Sequence, residues 1–193
     1  MEPLHIILIA VGVVALLLIV WLIAIYNRFQ ALRQHVRESW HNIDSELKRR
    51  YDLIPNLVET VKGYAAHERD VLERVTQLRS RAQQNAGAHD SQAADETMLM
   101  LGVRDLFAVA EAYPDLKASD QFLALQKELA ITEDRIAASR RFYNANVREM
   151  NQLCAMFPTS LVASLFNFEP ETFFELSTDA ERVVPRVSVA QAV

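Results

Sequence analysis

The sequence has little of the material from which most catalytic and phosphate-binding sites are built. Its 193 residues include four glycines, and no two of them lie within ten positions of each other. A glycine-rich phosphate loop is therefore excluded, because such loops place their glycines a few residues apart. The single cysteine, Cys154, excludes an intrachain disulfide and a C-x-x-C redox pair. No serine lies in a G-x-S-x-G sequence, which excludes the nucleophile elbow of the hydrolases.

An excess of basic residues is missing as well. The chain has 20 lysines and arginines against 25 aspartates and glutamates, a formal net charge of −5. Binding to nucleic acid normally needs a basic face that neutralises phosphates. We therefore predict no nucleic-acid partner.

The five histidines lack the spacing of metal ligands. His67 and Glu68 begin the zinc-protease pattern H-E-x-x-H, but Val71 stands where the second histidine is needed. His35 and His41 are six residues apart and share a helical face poorly. We predict no metal site, no cofactor and no catalytic residue, and therefore a protein that is not an enzyme.

A long apolar segment stands out against these absences. Residues Leu4–Ile25 read LHIILIAVGVVALLLIVWLIAI, and the last twenty of them carry no charge. Twenty helical residues span about 30 Å, the thickness of a bilayer core. We predict a transmembrane anchor over residues 1–25. Its membrane-spanning residues include Leu4, Ile6, Leu18, Trp21 and Ile25.

The alternative for this segment is a cleaved signal peptide. It is disfavoured because the segment has no basic residue before the apolar run, an unusually long run and no A-x-A-like cleavage site after it. Arg28, Arg33 and Arg37 follow the segment, and basic flanks stay on the cytoplasmic side. We expect a single-pass membrane protein with its N-terminus outside and its main domain in the cytoplasm.

The remainder of the chain has the periodicity of amphipathic helices. No stop signal follows Ile25, so the membrane helix is predicted to run directly into a long helix over residues 26–84. Pro55 should kink or break that helix, and Asp52 and Asn56 beside it are suited to capping a restart. Phe29, Leu32, Val36, Trp40, Ile43 and Leu47 begin its apolar stripe.

Later helices are predicted over residues 94–113, 121–157 and 160–166, with a polar loop over 83–95. Met98, Leu101, Leu106 and Val109 form the expected inward face of the first of these, and the stripe of the second runs from Phe122 to Phe157. The fold class is all-α: an antiparallel up-and-down bundle over residues 26–176. The tail, 177–193, is expected to be extended or partly disordered, with 182–189 its most strand-like part.

Two polar groups have alternative interpretations. The basic run Lys48–Arg50 is either a patch for an acidic partner or, as we favour, a solvated face paired with Glu46 and Asp52. The polar residues of the long third helix, if inward, form a buried network that fixes helix register. They are Asn144, Asn146, Arg148 and Asn151.

Three long strings of the sequence resemble the LemA family. They are ESWHNIDSELKRRYDLIPNLVETVKGYAAHERDVLERVTQLRSRA, AEAYPDLKASDQFLALQKELAITEDRIAASRRFYNANVREMN and FPTSLVASLFNFEPETFFEL. The resemblance implies a four-helix bundle on a membrane anchor, in bacterial membrane proteins without an assigned activity. It gives the matching residues a structural role and no catalytic one. These residues are Trp40, Arg50, Asp52, Pro55, Asn56, Asn144 and Arg148.

The resemblance also guides the functional hypotheses. A relative in magnetosome-forming bacteria contributes to building those organelles, and family genes often lie beside a membrane zinc protease or a protein with a TPM-type domain. We expect a non-enzymatic membrane scaffold that contacts the lipid bilayer. We also expect it to form homo-oligomers, since the first helix's apolar stripe is longer than one partner covers. The alternative is an adaptor or regulator of a membrane protease in envelope quality control. Its expected partner contacts are Phe166, Phe168, Phe173 and Phe174.

Overall fold

The computed structural model describes residues 3–85 and 87–176, and all regular secondary structure in that part of the chain is helical. The all-α prediction is confirmed. The helices are α1 (Pro3–Tyr64), α2 (Arg69–Gln84), α3 (His89–Glu111), α4 (Pro114–Lys117), α5 (Asp120–Ala155) and α6 (Thr159–Phe166). The predicted tail, residues 177–193, and its strand-like segment lie outside the described residues.

The first predicted helix is right at its start and wrong at its end. The apolar segment does continue into a long helix, but α1 passes through Pro55 without a break and ends at Tyr64. The chain then reverses, and α2 packs back along α1 with Arg79 bonded to the carbonyl of Tyr51. Those two residues each lie 14 positions from Ala65, as expected for an antiparallel hairpin that turns there. The sequence signal was Gly63, a poor helix former beside the turn.

Helix α3 begins earlier than predicted, and of the four residues expected on its inward face only Leu106 is buried. It starts at His89 rather than residue 94, so most of the expected polar loop is helical. Met98 is exposed, and Leu101 and Val109 are half-buried. Leu106 is buried as predicted, and the other inward residues are Leu99, Val103 and Ala110. The spacing of these four residues, which is four, three and four, follows the helical period.

Two compact units can be distinguished in the described residues. We call the first, residues 3–39 and 144–171, the anchor unit, and the second, residues 40–143 and 172–176, the bundle unit. The long helices α1 and α5 contribute to both.

The bundle unit is an up-and-down arrangement of four helical segments. Its α1 and α5 segments are joined through α2, α3 and the short α4, where Pro114 occupies the first turn, a position that tolerates its missing N–H. Helices α2 and α3 pack closely at Gly102, where a Cβ would lie 2.7 Å from Leu78 Cδ1 and 4.0 Å from Val75 Cα. The apolar core comprises Ile43, Leu47, Ile54, Leu57, Val61, Leu72, Val75, Leu99, Val103, Leu106, Phe122, Leu129 and Ile136.

The anchor unit packs the end of α5 and all of α6 against one face of α1. Its buried apolar residues are Phe29, Leu32, Val36, Val147, Met150, Leu153, Val162, Ala163 and Phe168. Burying one valine, leucine, methionine or phenylalanine side chain contributes about 1.5–3 kcal/mol to the stability of the fold. After α6, Asn167 adopts the left-handed conformation (φ 54°), which asparagine tolerates better than most residues. The turn is closed by a bond from the Phe168 N–H to the Ala163 carbonyl (2.9 Å).

Candidate membrane interface and buried ion cluster

The N-terminal part of α1 presents apolar side chains on every side. Large apolar residues from Ile7 to Ile23 are exposed around the helix, and its most apolar 18-residue window has a mean hydropathy of 3.2 with none of it buried. By length and composition this helix is able to cross a membrane. Of the predicted spanning residues, Leu18 and Trp21 are exposed and Ile25 is half-buried. Leu4 and Ile6 belong to α1, and their side chains are not described.

An aromatic cluster closes the anchor unit where the apolar segment ends. The Phe29 ring stacks on Phe168 with centroids 4.6 Å apart, and Tyr26 meets Phe166 edge-on at 4.9 Å. The Arg33 guanidinium lies 4.6 Å above the Phe168 ring, a cation–π contact. Part of the predicted partner surface is therefore internal, because Phe168 is buried against its own chain. Phe166 remains exposed.

Two asparagines of α5 fasten the anchor unit. Asn146 donates from Nδ2 to Ser39 Oγ (3.2 Å), which ties α5 to α1. Asn151 exchanges two bonds with the backbone of Glu171, donating to its carbonyl (2.9 Å) and accepting from its N–H (2.7 Å). These residues fix the pairing of segments, as expected of a polar network that sets register. Asn144 is half-buried and Arg148 is exposed.

The half-buried Cys154 thiol belongs to the same unit. Its Sγ lies 3.8 Å from the Phe168 carbonyl oxygen, and burial, assisted by the nearby Glu171 carboxylate, raises its pKa. A raised thiol pKa lowers the fraction of reactive thiolate. The geometry therefore supports a structural thiol rather than a nucleophile.

The bundle unit encloses an ion cluster that ties three helices together. Arg50 of α1 is 1% exposed and Glu96 of α3 is fully buried. The Arg50 guanidinium contacts Glu96 and also Glu133 of α5, where Nη1 lies 3.1 Å from Oε1. Tyr51 donates its hydroxyl to Glu96. The expectation that Arg50 lies on a solvated face is wrong, because it occupies the apolar stripe three residues after Leu47.

The rest of the basic run pairs differently from the prediction. Lys48 pairs with Asp44 (2.7 Å) and Arg49 with Glu128 (2.8 Å), both at the surface. Glu46, an expected partner, instead lies 3.8 Å from Arg135. Sequence reasoning missed the pairs of Arg49 and Glu46 because they depend on which helix lies opposite, whereas Lys48 and Asp44 are four residues apart on α1.

Burial governs the chemistry of the cluster. Burial raises the pKa of Tyr51, and the adjacent Arg50 charge opposes that shift. The phenol therefore stays protonated and serves as a donor to Glu96. Since Arg50 and Glu96 are closed to solvent, no substrate can reach them without opening the bundle. In the described residues no group of histidine, cysteine or acidic side chains is arranged to hold a metal ion.

Pro55 has a structural consequence that its sequence position did not reveal. Proline lacks the N–H that would bond the carbonyl four residues earlier, which is that of Tyr51. That carbonyl accepts instead from Arg79 Nε of α2 at 2.6 Å. The Tyr51 carbonyl, which has no backbone donor within α1, thus forms a hydrogen bond that links α1 to α2. The other motif residues, Asp52 and Asn56, are exposed on α1.

The bundle unit has an aromatic cluster of its own, which surrounds His89. This residue lies in the segment 83–95 that was predicted to be a loop. Trp40 stacks on His89 (3.9 Å) and meets Tyr143 and Phe174 edge-on. The Tyr143 hydroxyl lies 2.8 Å from His89 Nδ1 and donates to the Thr172 carbonyl at 2.9 Å. Phe174, another predicted partner contact, is therefore internal. Phe173 is half-buried.

These features define the class first: an all-helical protein with one N-terminal helix that is long and apolar enough to cross a membrane. A profile of the LemA family matches residues 39–189, most of the chain, and the chain belongs to that family. It is similar to the protein LemA of Metamycoplasma hominis, with 27% identity over 158 residues that cover 81% of this chain and 71% of that one.

Two further relatives come from magnetosome-forming bacteria. The magnetosome protein MamQ of Magnetospirillum gryphiswaldense is 22% identical over 193 residues, covering 86% of this chain and 71% of its own. The magnetosome protein MamQ 2 of Paramagnetospirillum magneticum is 22% identical over 198 residues, covering 90% and 73%. The names of these relatives state no enzymatic activity.

Proposed function

We propose that this chain is a non-enzymatic, membrane-anchored scaffold that self-associates and organises the bacterial membrane or envelope. The observation that carries the proposal is a fully exposed apolar segment which continues, within one helix, into a packed helical body. The charged side chains with the deepest burial are used to join helices rather than to line a cleft. Such a molecule is suited to holding a surface at a membrane and to contacting neighbours.

Self-association is best placed in the membrane segment itself. The α1 stripe from Phe29 to Val61 is buried within its own chain, apart from the half-buried Trp40, so the described residues leave no uncovered stripe along this part of α1. The uncovered apolar surface of α1 lies before Tyr26. Gly12 has no atom within 4 Å of where a Cβ would stand, and helices associate in bilayers where a small residue permits close approach.

Native mass spectrometry of the full chain released from bilayers tests this proposal. We expect oligomers of the chain alone, reduced by Gly12→Leu, which adds bulk where helices would meet. Val14→Leu adds bulk two residues away, on the opposite face of the helix, and is the matched control. A wild-type protein that is monomeric would contradict self-association, and equal loss in both variants would contradict the assignment of the Gly12 face.

We place the bundle unit in the cytoplasm on the strength of the basic residues that follow the apolar segment. Protease treatment of spheroplasts checks this orientation. The bundle unit should be protected until the membrane is permeabilised. Digestion in intact spheroplasts would reverse the orientation without affecting the scaffold proposal.

A second candidate function is an adaptor of a membrane protease. It is favoured by a shallow groove of the bundle unit between α3 and the segment Thr172–Leu176, which is lined in part by Met98 and Phe173. Crosslinking in cells followed by purification of the full chain should recover a protease, and Phe173→Asp should reduce that recovery. Recovery that is absent, or unchanged by this variant and by deletion of residues 177–193, would remove the adaptor candidate.

A further inference from the structure

A second uncharged stretch lies near the end of α5. From Met150 to Phe168 the chain has nineteen residues without a charged side chain, between Glu149 and Glu169. We call the portion from Met156 to Phe166, which contains the turn after α5 and the whole of α6, the tip. Its residues Val162 and Ala163 are buried and account for its packing within the anchor unit.

The other side of the tip is apolar and uncovered. Phe157 is 80% exposed, Leu161 63% and Leu165 66%, and their spacing of four residues aligns the latter two on one face of α6. Met156 and Phe166 are exposed beside them. Soluble surfaces carry single apolar residues of this kind, whereas a contiguous group marks an interaction site. Phe157 was predicted to be the last inward residue of α5, and its exposure corrects that prediction.

Contacts within the anchor unit place the tip at the end of the membrane segment. Asn146 of α5 bonds Ser39, and Glu149 pairs with Arg28 at 3.0 Å, so α5 runs toward the apolar end of α1. Phe166 then meets Tyr26, the residue that follows the apolar segment. The Arg28–Glu149 ion pair joins the last charged residues of α1 and α5 at this end of the anchor unit. Residues 3–27 of α1, and residues 150–168 from the end of α5 onward, carry no charged side chain.

We propose that the tip inserts into the headgroup region of the bilayer beside the transmembrane segment, so that the anchor unit contacts lipid at two places. The lipid surface is the occupant because the uncovered face is continuous with the membrane segment, whose following residue Tyr26 contacts Phe166. Short apolar helices that lie in the interface bury about 5–10 Å into the headgroup and acyl boundary. The inference rests on membrane anchoring but does not require the scaffold role.

Nitroxide labels on the full chain, reconstituted in vesicles of phosphatidylcholine and phosphatidylglycerol, test the tip directly. In a Cys154→Ala background, Phe157→Cys and Leu161→Cys are labelled, with the exposed Arg148→Cys of the same unit as matched control. We expect the two tip labels to be accessible to oxygen and shielded from a water-soluble nickel complex. The control label should show the reverse.

The other outcomes overturn the proposal in distinguishable ways. Tip labels fully accessible to the nickel complex would mean that the tip lies in water. Dipolar broadening that disappears on dilution with unlabelled protein would mean that a second copy covers the tip. A label at Leu165→Cys, on the same face of α6 as Leu161, should give the same accessibility, which shows that the result does not depend on one labelled position. Flotation of every variant with the vesicles checks the transmembrane anchor separately, so failure of the tip proposal leaves the anchor intact.

Discussion

The two units of this protein share apolar and aromatic packing but differ in where they place the ion pairs between their helices. In the anchor unit the ion pair Arg28–Glu149 is exposed, and aromatic rings with two asparagines join the segments. In the bundle unit the pair Arg50–Glu96 is buried in the interior. A buried ion pair adds little net stability, but removing one partner is strongly destabilising because a buried charge is left uncompensated. We therefore expect the loss of an ion pair to be costly in the bundle unit and nearly neutral in the anchor unit.

The largest expected effect comes from removing one side of the buried cluster. Arg50→Met leaves Glu96 and Glu133 without their cation and should lower the free energy of unfolding by about 3–5 kcal/mol. Arg28→Met removes the exposed pair of the anchor unit and should cost no more than about 1 kcal/mol. Urea unfolding of the detergent-solubilised full chain, followed by circular dichroism, measures both. Equal losses in the two variants would contradict the comparison.

Replacing all three charged residues of the cluster tests whether the cost of Arg50→Met comes from an unpaired buried charge. An Arg50→Met, Glu96→Leu, Glu133→Met triple variant buries no unpaired charge and should recover much of the stability lost by Arg50→Met alone. If the triple variant is less stable than the single one, the cluster contributes net stabilisation beyond specifying helix pairing.

The aromatic cluster of the bundle unit should give the next largest effect. Trp40→Ala removes the stack on His89 and the edge contacts with Tyr143 and Phe174, and should cost about 3 kcal/mol. Phe166→Ala in the anchor unit removes an exposed ring and should leave the melting temperature in detergent nearly unchanged. A melting curve unaffected by Trp40→Ala would show that the cluster contributes no stability.

A smaller effect is expected where Pro55 frees a carbonyl. Arg79→Met leaves the Tyr51 carbonyl without its side-chain donor and should cost about 1–3 kcal/mol. Pro55→Ala alone should cost little, because the new N–H can bond the same carbonyl. In the double variant the Arg79→Met cost should therefore shrink, which a double-mutant cycle measures. Additive costs would mean that the proline and the arginine act independently.

The smallest effect is a pH dependence confined to alkaline conditions. The pKa of Tyr51 is raised above its usual 10.0 by burial, so above that pH the unfolded chain releases the phenolic proton first. The free energy of unfolding should then fall as the pH rises toward the folded-state pKa, and this group adds no pH dependence below 10. Tyr51→Phe abolishes that contribution. A wild-type minus variant difference that stays flat above pH 10 would contradict the assignment.

Periodicity predicted the helices well and the polar interior poorly. The apolar segment, the all-α class and the run of α5 follow from local spacing, which depends on neighbouring residues alone. Glu96 and Arg79 were missed because their roles depend on contacts between separate helices. One signal was available for Arg50, which lies between Leu47 and Ile54 on the apolar stripe of α1. A charged residue that is buried on such a stripe needs a partner of opposite charge.

The central claim is that this chain forms a scaffold by itself at the membrane. Extraction of the full-length protein in its native lipid, followed by single-particle imaging, tests that claim most directly. We expect regular assemblies of this chain alone, joined through their membrane segments, with the α6 tips at the lipid surface. A single copy, or a complex of fixed composition with a second protein, would contradict it.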